Sequence, residues 1–141
     1  MYERHRPRFR MRPYQITDQG TKHGRGIIVR RRGGLRRGDL IFAERVRVFA
    51  DPPPRPASQD ICPTDHDALF CRGDGRWVLL RDHVGEVHSK LFWLNSSWRG
   101  PGLPCPEGNV SIAVNGSVLT VRASVKIPEG GEVVWGYQWW N

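Results

Sequence analysis

Asn109 to Tyr137 reads NVSIAVNGSVLTVRASVKIPEGGEVVWGY, and this stretch decides the fold class. Val110, Ile112 and Val114 alternate with Ser111, Ala113 and Asn115, the period of two that a half-buried strand shows. After Asn115-Gly116 a second run starts at Val118 and continues through Leu119, Val121, Ala123 and Val125. Asn-Gly readily supplies the two positive-φ positions of a type I′ turn, so the runs are predicted to form a β-hairpin turning at Asn115-Gly116. Pro128 and Gly130-Gly131 end the second run, and Glu132 to Tyr137 gives a last strand before Trp139-Trp140.

Working outward, a glycine-punctuated stretch from Gly20 to Gly26 feeds into Ile27-Ile28-Val29, a β-branched run read as a strand. Gly33-Gly34 and Arg37-Gly38-Asp39 bracket a turn, and strands are expected at Leu40 to Ala43 and Val46 to Phe49. Asp51-Pro52-Pro53-Pro54-Arg55-Pro56 breaks regular structure, because proline lacks an amide donor and fixes φ. One short helix is expected around Asp65 to Phe70, then a turn at Asp74-Gly75 and a strand over Trp77 to Leu80. Leu91 to Leu94 is wholly apolar and is predicted to be buried whatever its conformation. With no long amphipathic helix and no internal repeat, the expectation is a mostly β domain with short strands and long connections.

At 141 residues the chain is expected to form one domain. Its formal charge of +8 favours an acidic partner or a polyanion. Arginine dominates that charge, since lysine occurs only at Lys22, Lys90 and Lys126. Arginine suits planar, bidentate contacts with phosphate and carboxylate, although a biased genome composition gives the same skew. Arg4, Arg6, Arg8, Arg10 and Arg12 are interleaved with Pro7, Phe9 and Pro13 and followed by Tyr14; residues 1–13 therefore read as a basic, disordered or docking arm. Through this arm the chain is a candidate for nucleic-acid binding.

Cys62, Cys71 and Cys105 are an odd number, against a disulfide framework. With His66 they fit no common zinc-finger spacing, so no metal is expected. The N-terminus lacks an apolar segment of the secretory type, and no run approaches the ~20 apolar residues that span a bilayer. The glycosylation sequons at Asn95, Asn109 and Asn115 are accordingly read as coincidence. A soluble, intracellular domain with reduced thiols and no membrane contact is the expectation. Asp65, Asp67, Asp74 and Asp82 read either as a solvated face or as a surface for a basic peptide.

Four segments, in order, resemble the SET domain of S-adenosylmethionine-dependent protein lysine methyltransferases. Lys22-His23-Gly24-Arg25-Gly26 is similar to the glycine-x-glycine segment with which such domains open. Leu35-Arg36-Arg37-Gly38-Asp39-Leu40-Ile41 resembles the family's I-x-x-G-E-L-I, and Phe92-Trp93-Leu94-Asn95-Ser96-Ser97 its R-F-I-N-H-S-C. Ile127 to Tyr137 resembles I-x-x-G-E-E-L-x-[YF]-x-Y. The resemblance covers about residues 14 to 140 and implies a SET domain over 14–141. Its fold would be short curved antiparallel sheets with a C-terminal segment threaded in a pseudo-knot.

The resemblance implies the following roles. Tyr137 would lie beside the transferring methyl as the catalytic tyrosine, with Trp135 two residues earlier either limiting the lysine channel or packing in the core. Lys22, His23, Gly24, Arg25 and Gly26 would pass against the cofactor S-adenosylmethionine. Asn95 would hydrogen-bond the cofactor's amino group, and Ser96 would meet its adenine through the main chain. Trp140, with Trp139, would stack on the adenine or anchor the C-terminus. The implied substrate is a histone tail or another lysine-bearing protein, and the implied site of action the nucleus.

Departures from the family pattern accompany the match. Ser96 stands where the family has His, Trp98 where it has Cys, and Phe92 where it has Arg. The residues after Tyr137, Gln138 to Asn141, include no cysteine, so a cysteine-rich post-SET segment is not expected. The alternative reading is therefore a catalytically inactive SET-like module that binds peptide, cofactor or nucleic acid. A minimal viral or mobile-element enzyme, acting in a host nucleus and completing its channel as a homodimer, is a further option.

Overall fold

Val110 to Asn115 and Val118 to Ala123 place alternate side chains on one face; Leu119, Val121 and Ala123 are buried there, and Val110, Ile112 and Val114 are half-buried against the core. The computed structural model describes residues 12–18, 25–51, 68–71, 75–82, 84–96 and 108–135. Within them the chain forms ten strands, no α-helix and one short 3₁₀ turn, so the mostly β expectation holds. The strands are β1 (Tyr14–Thr17), β2 (Gly26–Val29), β3 (Leu40–Arg45), β4 (Val48–Phe49), β5 (Ala68–Cys71), β6 (Arg76–Leu79), β7 (Asn95–Ser96), β8 (Val110–Asn115), β9 (Val118–Ala123) and β10 (Glu132–Trp135).

They assemble into three small sheets with orders β1-β2-β10-β7, β3-β9-β8 and β4-β6-β5. All pairings are antiparallel except one: β7 and β10 run parallel, with Asn95 opposite Val134 and Ser96 opposite Trp135. Parallel neighbours need a long connection. Residues 97–131, which include the β8–β9 hairpin, provide it.

Two local expectations are corrected. The hairpin turns one residue later than Asn115-Gly116, because Asn115 still pairs with Val118 as the last residue of β8. The loop is Gly116-Ser117, with positive φ at Gly116 alone (+61°). Glycine at the first loop position is the type II′ pattern, so Asn115 needs no left-handed backbone. The helix expected at Asp65 to Phe70 is also replaced, over its described part, by strand β5. A short apolar run such as Ala68-Leu69-Phe70-Cys71 suits either conformation. Pairing with β6, Phe70 opposite Trp77 and Cys71 opposite Arg76, decides for the strand.

The core draws on residues from 14 to 135, with Ile27, Val29, Leu35, Val78, Leu80, Leu91, Leu119, Val121 and Val133 fully enclosed. Leu91 and Leu94 are buried as anticipated, and Phe92 and Trp93 pack partly against the same core. The turn that carries them, Lys90–Trp93, is capped by Ser89, whose hydroxyl accepts from the Leu91 amide at 3.1 Å. Ser89 is buried, and its hydroxyl donates to the Glu44 carboxylate on β3. The Lys90 amide donates to the same carboxylate at 3.1 Å. A buried hydroxyl without partners costs about 1–3 kcal/mol, so this contact fixes where the 3₁₀ turn lies on the sheet.

The stretch from Arg31 to Asp39 is held by paired turns. Leu35 and Ile127 exchange backbone hydrogen bonds of 2.8 and 3.0 Å, with Gly34 pressed against the same segment. Gly34 has φ +83°, and a Cβ there would lie 2.5 Å from the Ile127 carbonyl oxygen. Gly38 has φ +91° but open space around it. Gly34→Ala should therefore destabilise the protein by more than the conformational cost, about 1–2 kcal/mol, that Gly38→Ala incurs. Equal losses in thermal unfolding of the two variants would show that the contact with Ile127 does not matter.

Candidate functional site

Asn95 begins β7 immediately after the 3₁₀ turn, so the Glu44–Ser89 contact below it also sets its position. Its side-chain amide donates to the Arg25 carbonyl at 2.9 Å and to Glu132 Oε2 at 2.6 Å. One side chain thus ties together three segments far apart in sequence: the residues preceding β2, the start of β7 and the start of β10. Both amide hydrogens are engaged, which leaves the Asn95 carbonyl oxygen as an acceptor. Beside it, Arg25 lies over the Trp93 ring at 4.7 Å and pairs with Asp18 at 2.7 Å.

β10 is held from both sides. Glu132 and Val133 pair with Ile28 and Ile27 of β2, while Val134 and Trp135 pair with Asn95 and Ser96. Asn109 adds a third clamp. Its backbone amide donates to the Val134 carbonyl, its side-chain oxygen accepts from the Val134 amide, each at 2.9 Å, and its side-chain nitrogen donates to the Glu132 carbonyl. Gly108 lies so close to this strand that a Cβ would stand 2.3 Å from the Val134 oxygen and from the Trp135 Cα.

Of the residues singled out from the sequence, Arg25, Gly26, Asn95 and Ser96 are brought to one end of the β1-β2-β10-β7 sheet. Trp135 is 1% exposed, and its indole N–H donates to the Leu94 carbonyl at 3.2 Å. It is a core side chain with its one polar atom satisfied, the packing alternative left open above. Lys22, His23, Gly24, Tyr137 and Trp140 lie outside the described residues, as do Trp139, Cys62, His66 and Cys105.

Three participants are not apparent from the sequence. Glu132 stands out only as part of a motif; a carboxylate opening an otherwise apolar strand is the available signal. Asn109 reads as an incidental sequon, although its side chain completes the hydrogen bonding of β10. Gly108 carries no signal at all, because its necessity comes from a strand distant in sequence.

A second polar cluster lies at the turn after β6. Asp82 accepts from His88 Nε2 at 2.8 Å and from the Val84 and Glu86 amides at 3.0 and 2.9 Å. Asp82, Glu86 and His88 place ligand-type atoms within 4.8 Å of one another. Asp82 is already engaged by three donors, so it serves as the lock of its own turn. No helix among the described residues is long and apolar enough to cross a membrane. The sequence matches no protein-family model, and no curated protein is significantly similar to it.

The Asp82 carboxyl is held down from 3.8 to about 2, chiefly by the His88 hydrogen bond and further by the Glu86 and Val84 amides, against partial desolvation. A lowered folded value means that the ionised form stabilises the turn above the ordinary carboxylate range, and the contribution disappears as pH falls through the folded value. In NMR titrations the Val84 and Glu86 amide shifts should report a midpoint near 2, absent in Asp82→Asn. A midpoint at the ordinary carboxylate value would refute the lock. For the site itself, Asn95→Asp sets a carboxylate against a carbonyl and a second carboxylate. Its stability at neutral pH should fall by about 1–3 kcal/mol and partly recover on acidification, when a protonated oxygen again donates. Urea unfolding at pH 7 and pH 4.5 checks this; indifference to pH would show that the Asn95 contacts carry no weight.

Proposed function

We propose that this chain is an S-adenosylmethionine-dependent protein lysine N-methyltransferase of the SET type, acting on a histone or another basic protein. The observation that carries the reading is the Asn95 side chain joining Arg25 and Glu132, with β7 parallel to β10. The segments that resemble SET motifs separately in sequence also meet in space, which chance likeness to short motifs would not require. The reading brings with it a C-terminal pseudo-knot and a nuclear site of action, in the host cell if the protein is viral.

The residues present suit the amino-acid end of such a cofactor. Asn95 retains a carbonyl oxygen to accept from an ammonium group. Gly26 brings backbone without a Cβ close beside it. Bound there, S-adenosylmethionine supplies an electrophilic methyl group. The chain's own task is then to deliver a neutral lysine amine. An unperturbed lysine has a pKa of about 10.4, so its channel must disfavour the charged form by excluding water. In this reading Tyr137 orients the amine at the mouth of the site, and Trp135 stiffens the wall behind it from within the core.

Transfer of labelled methyl from S-adenosylmethionine to core histones and a lysine-peptide panel tests the proposal. Gly26→Val should abolish cofactor binding in calorimetry while the protein remains folded. Tyr137→Phe should keep binding and lower the rate by ~10²-fold or more, the scale of losing one preorganised polar group at a transition state. Wild-type protein that binds no cofactor would overturn the reading. Binding without transfer to any substrate would replace it with the inactive module.

A further inference from the structure

The two glycine turns between β2 and β3 carry a density of positive charge that the methyl-transfer reading does not use. The first turn, Arg31 to Gly34, is closed by a 2.9 Å hydrogen bond and flanked by Arg30. The second, Arg36 to Asp39, is closed by a 3.0 Å bond. Arg30, Arg31, Arg32, Arg36 and Arg37 are all exposed. Exposed Arg122 and Lys126 join them from the facing segment: Arg122 donates to the Gly38 carbonyl at 3.1 Å, and Lys126 precedes Ile127, which pairs with Leu35.

Two carboxylates stand nearby, and both are engaged in holding the turns. Asp39 accepts from the Arg36 amide at 2.8 Å and from the Arg31 guanidinium at 3.3 Å. Glu129 accepts from the Gly33 amide at 3.1 Å. The side chains of Arg30, Arg32, Arg36, Arg37 and Lys126 have no partner among the described residues. Meanwhile the backbone beneath them is pinned: Leu35 to Ile127 in both directions, Gly38 to Ala123 at 2.7 Å, and Ala123 to Asp39 at 2.9 Å. Arg30, Arg32, Arg36 and Arg37 are therefore long, unpaired cations on a fixed frame. Next to them the Arg30 amide donates to the Pro13 carbonyl at 2.8 Å, which pins the start of the first turn as well.

We infer that this arginine edge is a docking surface for the phosphate backbone of duplex DNA. Guanidinium groups match phosphate oxygens in planar, bidentate fashion, and a row of them releases condensed counterions on binding. Other partners suit the surface less well. A protein interface is centred on aromatic and apolar side chains, and an interfacial membrane site on Trp, Phe or Leu. Here the apolar side chains at the margin are Leu40 and Val125, and no aromatic ring lies on either turn. Single strands are held by aromatic stacking, and duplex RNA by contacts to its 2′-hydroxyls. Neither turn contains an aromatic, hydroxyl or amide side chain.

Fluorescence anisotropy with a short mixed-sequence DNA duplex, over a range of salt concentrations, tests the inference on the full chain. The variant Arg30→Gln/Arg32→Gln/Arg36→Gln/Arg37→Gln should fold normally, since these side chains have no described partners, and circular dichroism checks that. Its log–log salt slope should be shallower than wild type by up to about 3.6, near 0.9 for each of four phosphates no longer neutralised, with affinity reduced at least tenfold. A variant with Arg4, Arg6, Arg8 and Arg10 changed to Gln should retain part of the slope. An unchanged slope in the turn variant, or no duplex binding by the wild type at low salt, overturns the inference. So does tighter binding to polyglutamate, to anionic vesicles or to duplex RNA than to duplex DNA. Because methylation of a free peptide needs none of these arginines, the turn variant's transferase rate separates this result from the fate of the enzymatic reading.

Discussion

The peptide groups of β10 find partners on both edges, and the rest of the described fold is arranged around that condition. β2 takes one edge at Glu132 and Val133; β7 and the Asn109 side chain complete the hydrogen bonding near Val134. A buried strand edge without partners is costly, because each orphaned amide or carbonyl forfeits the hydrogen bond it would make to water. Asn109 bonds to β10 much as a neighbouring strand would, with its backbone amide and both ends of its side-chain amide. Gly108 follows from it, since only a residue without a Cβ lets the chain pass so close to Trp135.

Through β10 the core and the candidate site become one problem. Val133 and Trp135 point into the core, while Glu132 reaches the Asn95 amide at the sheet's end. The Glu44 carboxylate works from the other side. It holds Ser89 and the Lys90 amide, which sets the 3₁₀ turn, which in turn delivers Asn95. Disturbance of either anchor would reach the site without touching a residue in it.

The same segment that leads into β10 also frames the arginine turns. Residues 123–131 pair with Leu35, Gly38 and Asp39, then with Val29, before becoming the strand. A rigid basic edge and a polar site thus share one stretch of backbone, although their chemistries differ. One offers charge to solvent; the other encloses a small set of donors and acceptors.

Patterns of period two were legible in the sequence: β8 and β9 alternate apolar and polar residues, and the structure buries the predicted face of β9 and half-buries that of β8. The positions of glycine and proline marked most turns, and the apolar Leu91–Leu94 run marked a buried segment. Such signals are local, because they depend on side-chain direction along one piece of chain. Register was not legible: Asn115-Gly116 suggested a turn, but the pairing of Asn115 with Val118 moved it by one residue. Ala68 to Cys71 fitted helix or strand until β6 provided a partner. Nor could any local pattern show that Asn109 would serve β10, or that Asn95 would bridge Arg25 and Glu132. The sequence by itself determined which residues seek burial and where the chain can turn. Tertiary structure alone decided which distant peptide groups meet, because a hydrogen bond is satisfied by position in space and leaves no periodic trace along the chain.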